Sequence, residues 1–429
     1  MATYLLCVTP VHGHVAPLLA VAERLRARGH RIILLTGSRF ADRAAELDLE
    51  FHALTGAADF DDRDPDSSLP DRDRYRGLAR AQYDIQTLFV RPIPDQYAAA
   101  TALIERYRPD AVLVDGLFIA LGPLVMDERR RGDRPPVIAL GVNPLAQPSR
   151  DVAPNGMGLA PSHSTLGTLR NVALNTLART VLFRDTQKLA ERVFLEASGV
   201  RLRSFAMDPA PYSDRFLQLC VPEFEYPRRD LSPTTRFVGP VVAGARPDEP
   251  LPEWWDELDG PRPVVHLTQG TIDNHDVTRL IRPALEALAR RDVLVVVSAG
   301  GRPVDSLGAL PPHALAARYL DYERLLPRTR LMITNGGYGG VQHALAHGVP
   351  LIVAGDTEDK PEVAARVRWS GAGIDLRTGS PTPEAIGRAV DRILSDGSYA
   401  DRAALLRSSI ARHDAFAAIE EELQSVTVP

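Results

Sequence analysis

The sequence predicts an α/β protein built from two open domains whose parallel sheets face each other across a cleft. Three observations carry this. Short β-branched runs alternate with amphipathic helical stretches along most of the chain, the alternation stops and then starts again, and a segment rich in proline and charge lies between the two series. Strands that alternate with helices build right-handed βαβ units around a parallel sheet. At 429 residues the chain is long enough for two or three domains, each with its own core.

In the first series, 4–8 reads as a buried strand. Residues 14–28 read as a helix with Leu18, Leu19, Ala22 and Leu25 on one face and Gly29 just past its end, and 31–36 as the next strand. A helix around 95–107, a strand at 111–114, a helix from 117 and a strand at 137–140 follow. The second series has strands at 264–267, 293–297, 331–334 and 351–353, with helices at 277–290, 339–347 and 383–394. The stretch 222–263, with the pair Trp254-Trp255, is the linker between them. Two segments break the pattern. Residues 59–73 hold seven aspartates and are expected to form a mobile surface loop. Residues 143–166, with Pro, Gly, Ser and Asn among scattered apolar residues, have the length and composition of a lid or binding loop.

Composition removes several function classes. Hydrophobic residues make up 45% and charged residues 24%, which excludes a mostly disordered or coiled-coil chain. The 50 basic and 55 acidic residues leave a net charge of −5 without a basic stripe, so a nucleic-acid partner is not expected. Arg129-Arg130-Arg131 is the only basic triplet and reads as a solvated helix end. Cys7 and Cys220 lie in apolar runs and read as buried free thiols, and without a CxxC pair no metal site is expected. The N-terminus lacks the charged start of a secretory signal, and no apolar run approaches the ~18 residues of a membrane span. A cytoplasmic protein with no transmembrane segment is therefore expected.

Five constellations sit on strand-to-helix turns. Val11-His12-Gly13-His14-Val15-Ala16-Pro17 follows the first strand, where the positive end of a helix dipole keeps an imidazole neutral, as a general base requires. A histidine that only caps the helix is the alternative. Asp115 ends the strand 111–114, where it can orient such a histidine or cap the next helix. Thr268-Gln269-Gly270-Thr271 can offer backbone N–H groups and a hydroxyl to a phosphate, or be a plain turn. Asn335-Gly336-Gly337-Tyr338-Gly339-Gly340 allows close backbone approach of a ligand to a helix start, without the lysine of a P-loop. Residues 355–362, acidic and ahead of a helix, fit either a helix N-terminus or sugar hydroxyls. Lys360 is one of only two lysines in the chain.

In this order and spacing, the pieces resemble the inverting GT-B glycosyltransferases of the UDP/TDP-glycosyltransferase superfamily, in the actinobacterial branch that decorates macrolides, polyketides and phenolic glycolipids. The resemblance covers nearly the whole chain and is strongest over 333–375, with NGGYGGVQHALAHGVP and the acidic loop behind it. It implies two Rossmann-like domains: an acceptor domain at 1–225, a linker at 226–262, a donor domain at 263–405, and a C-terminal helix at 406–429 packing back on the first domain. The family's GHxxP motif falls on Gly13–Pro17, so His14 rather than His12 would be the catalytic base, with Asp115 as its partner. Tyr319 would stack on the nucleobase. Gly270 and Thr271 would form the phosphate turn, and Asn335, Gly336, Gly337, Tyr338, Gly339 and Gly340 the pyrophosphate cradle. His343 falls at the ribose position, and Asp359 and Lys360 at the sugar-reading pair. Three positions depart from the pattern: Asn335 replaces a histidine, His343 a glutamate and Lys360 a glutamine.

The implied reaction moves a sugar from a UDP- or TDP-linked donor to a hydroxyl of a hydrophobic small molecule and inverts the anomeric centre. The nucleotide sugar is a co-substrate, so no cofactor is implied, and the glycine cradle would do the work of a metal. A sugar-nucleotide epimerase or a non-catalytic ligand-binding protein on the same scaffold are the alternatives. A hydride-transfer enzyme is disfavoured because no GxGxxG follows the first strand.

Overall fold

Apolar runs become strands here because helices cover both faces of each sheet. The computed structural model describes residues 1–127, 132–242, 250–271 and 273–427. The Arg129–Arg131 triplet, residues 243–249 of the expected linker and the last two residues of the chain lie outside the described residues. The first sheet contains β1 (Thr3–Cys7), β2 (Arg31–Thr36), β3 (Glu50–Ala53), β4 (Ala111–Asp115), β5 (Val137–Gly141), β6 (Arg215–Gln218) and β7 (Thr235–Phe237). Its order is β3-β2-β1-β4-β5-β6-β7, with every pair parallel. The second contains β8 (Val264–Thr268), β9 (Leu294–Ser298), β10 (Ala314–Ala317), β11 (Thr329–Thr334), β12 (Leu351–Val353) and β13 (Gly373–Asp375), in the order β10-β9-β8-β11-β12-β13, again all parallel.

The strand period of two sorts the first core into two layers. Leu5, Cys7, Val112 and Val114 enter one cluster, and Tyr4, Leu6 and Leu113 the other. Helix His12–Ala27 begins two residues before the expected start and buries Val15, Leu18, Leu19, Val21, Ala22 and Leu25. Both cysteines are buried and free. Among the described residues, no helix is long and apolar enough to cross a membrane.

Three stretches differ from expectation. β7 lies inside the 226–262 segment, because Thr235–Phe237 is extended and pairs with β6. The far end of the same segment belongs to the second half, where Trp255 and Leu258 pack on Val264, Leu294 and Val296. The C-terminal stretch is two helices, Ser398–Ile410 and Ala415–Thr427, and the break falls at Asp414, whose side chain accepts from the Ala417 N–H as a cap. Ala403, Leu406 and Ile410 pack on the second half, whereas Ala415, Ile419 and Leu423 join the first core. The aspartate-rich segment 59–73 carries short helical turns and is tied down. The Asp59 carboxylate accepts from the Ser38 N–H at 2.7 Å and that of Asp62 from the His12 N–H at 2.7 Å, and Arg39 lies 2.8 Å from the second Asp62 oxygen.

Candidate active site

Each sheet reverses its strand order once, between β1 and β4 in the first and between β8 and β11 in the second. Crevices beyond the strand ends at such points are where open α/β sheets bind ligands. The predicted residues cluster at these two points, and cross-contacts show that the two sets of strand ends face each other. Asn143, just past β5, donates through Nδ2 to Asp359 Oδ2 at 3.1 Å, and Gln218 at the end of β6 donates to the Tyr338 hydroxyl at 3.1 Å.

At the first switch point, His14 Nδ1 lies 2.8 Å from Asp115 Oδ1. Asp115 is fully buried and held by two further donors: Thr9 N–H at 2.7 Å to Oδ2 and Leu117 N–H at 2.9 Å to Oδ1. A carboxylate so fixed favours the proton on Nδ1, which leaves the Nε2 lone pair as the base. The His14 ring stacks at 6.1 Å on Phe89, which the sequence reading did not single out. His12 does something else. Its backbone N–H is bound to Asp62, and burial pushes its imidazole below the ordinary value.

At the second switch point, the loops after β8 and β11 interlock. Asn335 Nδ2 donates to the Gln269 carbonyl, and Asn335 Oδ1 accepts from the Gly337 N–H at 3.3 Å. This side chain therefore splices the two loops, which accounts for its place at the head of the glycine run. Gly336 has φ +91°, and a Cβ there would sit 2.6 Å from Val353 Cγ1, so no other residue fits. A Cβ on Gly339 would meet no protein atom, so the start of helix Tyr338–Ala346 is open to a ligand, with first-turn N–H groups that lack intrahelical partners. Gly340 lies behind it, 3.7 Å from Met332 measured from an added Cβ, and Gly270 faces Asn335. Thr271 is exposed.

Tyr338 does not join the cradle through its side chain. Its ring is buried against Phe224 and its hydroxyl meets Gln218 of the first half, because an apolar seam there takes the ring out of water. Lys360 also departs from expectation. It is buried, and its ammonium pairs with Glu358 and donates to Thr357 Oγ1 at 3.1 Å, so the loop itself neutralises the cation. Asp359 beside it is pushed upward by burial, against the pull of Lys360. Tyr319 is 55% exposed, with its hydroxyl lying across Gly301, so a ring face is open for stacking. His343 stands edge-on to Tyr322, with Nδ1 3.7 Å from Glu323 Oε1, and this histidine holds the Glu323 carboxyl below its ordinary value.

Sequence reasoning missed a buried charge cluster that joins the halves. Arg366, on helix Lys360–Ser370, donates through Nε to both Glu225 oxygens at 2.9 Å and through a terminal nitrogen to Oε1 at 2.7 Å. Its other terminal nitrogen reaches Glu362 Oε2 at 2.7 Å, and its guanidinium lies 4.3 Å from the Tyr226 ring centre. Arg228 adds a 3.2 Å contact to Glu225. The remaining Glu362 oxygen accepts from Gly156 N–H at 2.8 Å and Gly158 N–H at 2.7 Å, which pins the 143–166 loop to the helix that Asp359 leads into.

The comparisons with known proteins agree on both halves. Residues 11–134 match the glycosyltransferase family 28 N-terminal domain, and residues 282–425 match the C-terminal domain of erythromycin biosynthesis protein CIII-like proteins. The chain is 40% identical over 415 residues to 4'-demethylrebeccamycin synthase of Lentzea aerocolonigenes, covering 96% of this chain and 97% of that protein. It is 34% identical to UDP-glycosyltransferase 2 of Phaeomoniella chlamydospora, across 98% and 95% of the two chains. Among solved structures, the spinosyn rhamnosyltransferase SpnG complexed with thymidine diphosphate superposes with a TM-score of 0.69 at 18% identity, over 99% of this chain and all of that one.

Proposed function

The chain belongs to the GT-B nucleotide-sugar glycosyltransferases with a family 28 N-terminal domain and an erythromycin CIII-like C-terminal domain, and from that premise we propose that it transfers a sugar with inversion to a hydroxyl of an apolar natural product. The observation that carries this is the buried His14–Asp115 pair at the mouth of the first switch point. His14 Nε2 takes the acceptor proton as the hydroxyl oxygen attacks the anomeric carbon, and Asp115 balances the imidazolium that forms. The C1–O bond to the diphosphate breaks on the opposite face of the sugar. The open start of helix Tyr338–Ala346 receives the leaving diphosphate. Incubation with TDP- or UDP-glucose and a panel of hydroxylated aromatic acceptors tests the reading, with the anomeric configuration read by NMR. A product of retained configuration, or epimerised donor formed without any acceptor, would contradict it.

Turnover persists after exhaustive chelation, because backbone N–H groups and a helix end meet the diphosphate charge. Complete loss restored by Mg²⁺ would show that the cradle does not carry this charge alone.

Discrimination between UDP and TDP donors is weak. The ribose position holds His343, and a neutral imidazole offers one acceptor. Loss of the 2′-hydroxyl therefore strands less than it would opposite a glutamate, where an unpaired group costs on the order of 1–3 kcal/mol. The values of kcat/KM for UDP-glucose and TDP-glucose should lie within about 100-fold, or roughly 2.7 kcal/mol. A larger UDP preference would show that Gln342 or a nearby backbone group takes over the ribose contact instead.

A further inference from the structure

Helix Thr165–Leu177 and the wider turn Ala178–Leu182 that continues it bury one side through Gly167, Asn171 and Ala178. The opposite side presents Leu166, Leu169, Ala173, Leu177 and Val181, a single stripe at helical spacing. These side chains stand in solvent: Leu166 is 81% exposed, Leu169 66% and Val181 61%. The loop before the helix exposes Met157 and Leu159 as well. No acidic residue occurs between Asp151 and Asp185, in a chain whose net charge is −5. Arg170, Arg179 and Arg184 are exposed on the same segment, and Arg170 donates to the Asn171 side chain and the Ala160 carbonyl.

We propose that this stripe docks on an anionic lipid surface. The leucines and the valine enter the interface, and the exposed arginines are attracted to lipid phosphates. No carboxylate lies within 152–184 itself, although Asp208 interacts with Arg179 and exposed Asp185 follows Arg184. The stripe also adjoins the catalytic side of the first domain. Gln82 donates to the Leu182 carbonyl, Gln86 donates to Thr186 at 2.9 Å, and Phe89 of the same segment stacks on His14. A bilayer on this face would deliver an apolar acceptor next to the base. The docking itself does not depend on the transfer reading.

The test is co-sedimentation of the full chain with vesicles of mixed phosphatidylglycerol and phosphatidylcholine, against vesicles of phosphatidylcholine alone. The wild type should bind the anionic vesicles about tenfold more tightly and lose that margin in high salt. Leu169→Asp with Val181→Asp should abolish binding, and Arg170→Glu should weaken it, while turnover of a water-soluble acceptor stays at the wild-type level. Absent binding, or equal binding to both vesicle types, overturns the proposal. So does a wild-type dimer in sedimentation velocity that the double variant dissociates, since the stripe would then belong to a second copy. Loss of soluble-acceptor turnover in a double variant that keeps the wild-type circular dichroism places the stripe in the acceptor site and overturns it too.

Discussion

Replacement of His14 by alanine lowers kcat by roughly 10²–10⁴-fold, the range for loss of a general base, with donor affinity little changed. The loops after β8 and β11, which we propose hold the donor, belong to the other half of the chain, and among the described residues they share no hydrogen bond with His14. Asp115→Asn keeps an acceptor toward Nδ1, but it gives up the charge that balances imidazolium and turns an NH2 on the Thr9 N–H. Asp115→Ala should also disturb the strand end, since the Thr9 and Leu117 N–H groups lose their acceptor. His12→Ala is the control. The charges acting on its imidazole are those of Asp62 and Arg39, and its role at the helix start runs through its backbone. Wild-type turnover in His14→Ala together with collapse in His12→Ala would reverse the assignment.

Arg366→Met destabilises the protein by about 3–5 kcal/mol, the usual cost of leaving a buried charge without its partner. The variant strands Glu225 with Arg228 and leaves Glu362 Oε2 without its guanidinium. Burial alone would raise the Glu225 carboxyl, but Arg366 and Arg228 outweigh it and hold the group below its ordinary value. The stabilisation from this lowered carboxyl is complete above its unfolded value and is lost as pH falls through its folded one. The gap between wild type and variant in denaturant midpoint should therefore be full at neutral pH and shrink in acid. The pair variant Glu225→Leu with Arg366→Met should recover part of the loss, because it removes both charges. A single-variant cost under about 1 kcal/mol, the range of an exposed pair, would show that water reaches the cluster.

The sequence made the two-sheet plan legible because hydrophobic period and turn chemistry are local signals. β1, β2, β4 and β5 and the helix around His14 lie within a residue or two of expectation. Asp115 was legible for the same reason, as a carboxylate closing an apolar run. What was not legible depended on partners distant in the chain. Glu225 and Arg366 are 141 residues apart, and neither segment carries a local signal of the other. The direction of the Tyr338 ring was hidden likewise, because a glycine-rich run says where backbone can approach and nothing about where its one aromatic turns. Lys360 drew attention through the scarcity of lysine, but Glu358 and Thr357, two and three residues earlier, occupy its ammonium.

The ties between the halves bear on recombination of this chain with its relatives. A chimera cut in the 226–262 segment would look natural from the two sheets, yet it would separate Glu225 from Arg366, and Gly156 and Gly158 from Glu362. It would also give the first core a foreign Ala415–Thr427 helix in place of the one that supplies Ile419 and Leu423. An exchange of second halves that keeps activity must therefore bring the Gly156–Gly158 turn and the Glu225–Arg228 corner from the same parent as Arg366 and Glu362, and retain the recipient's own final helix.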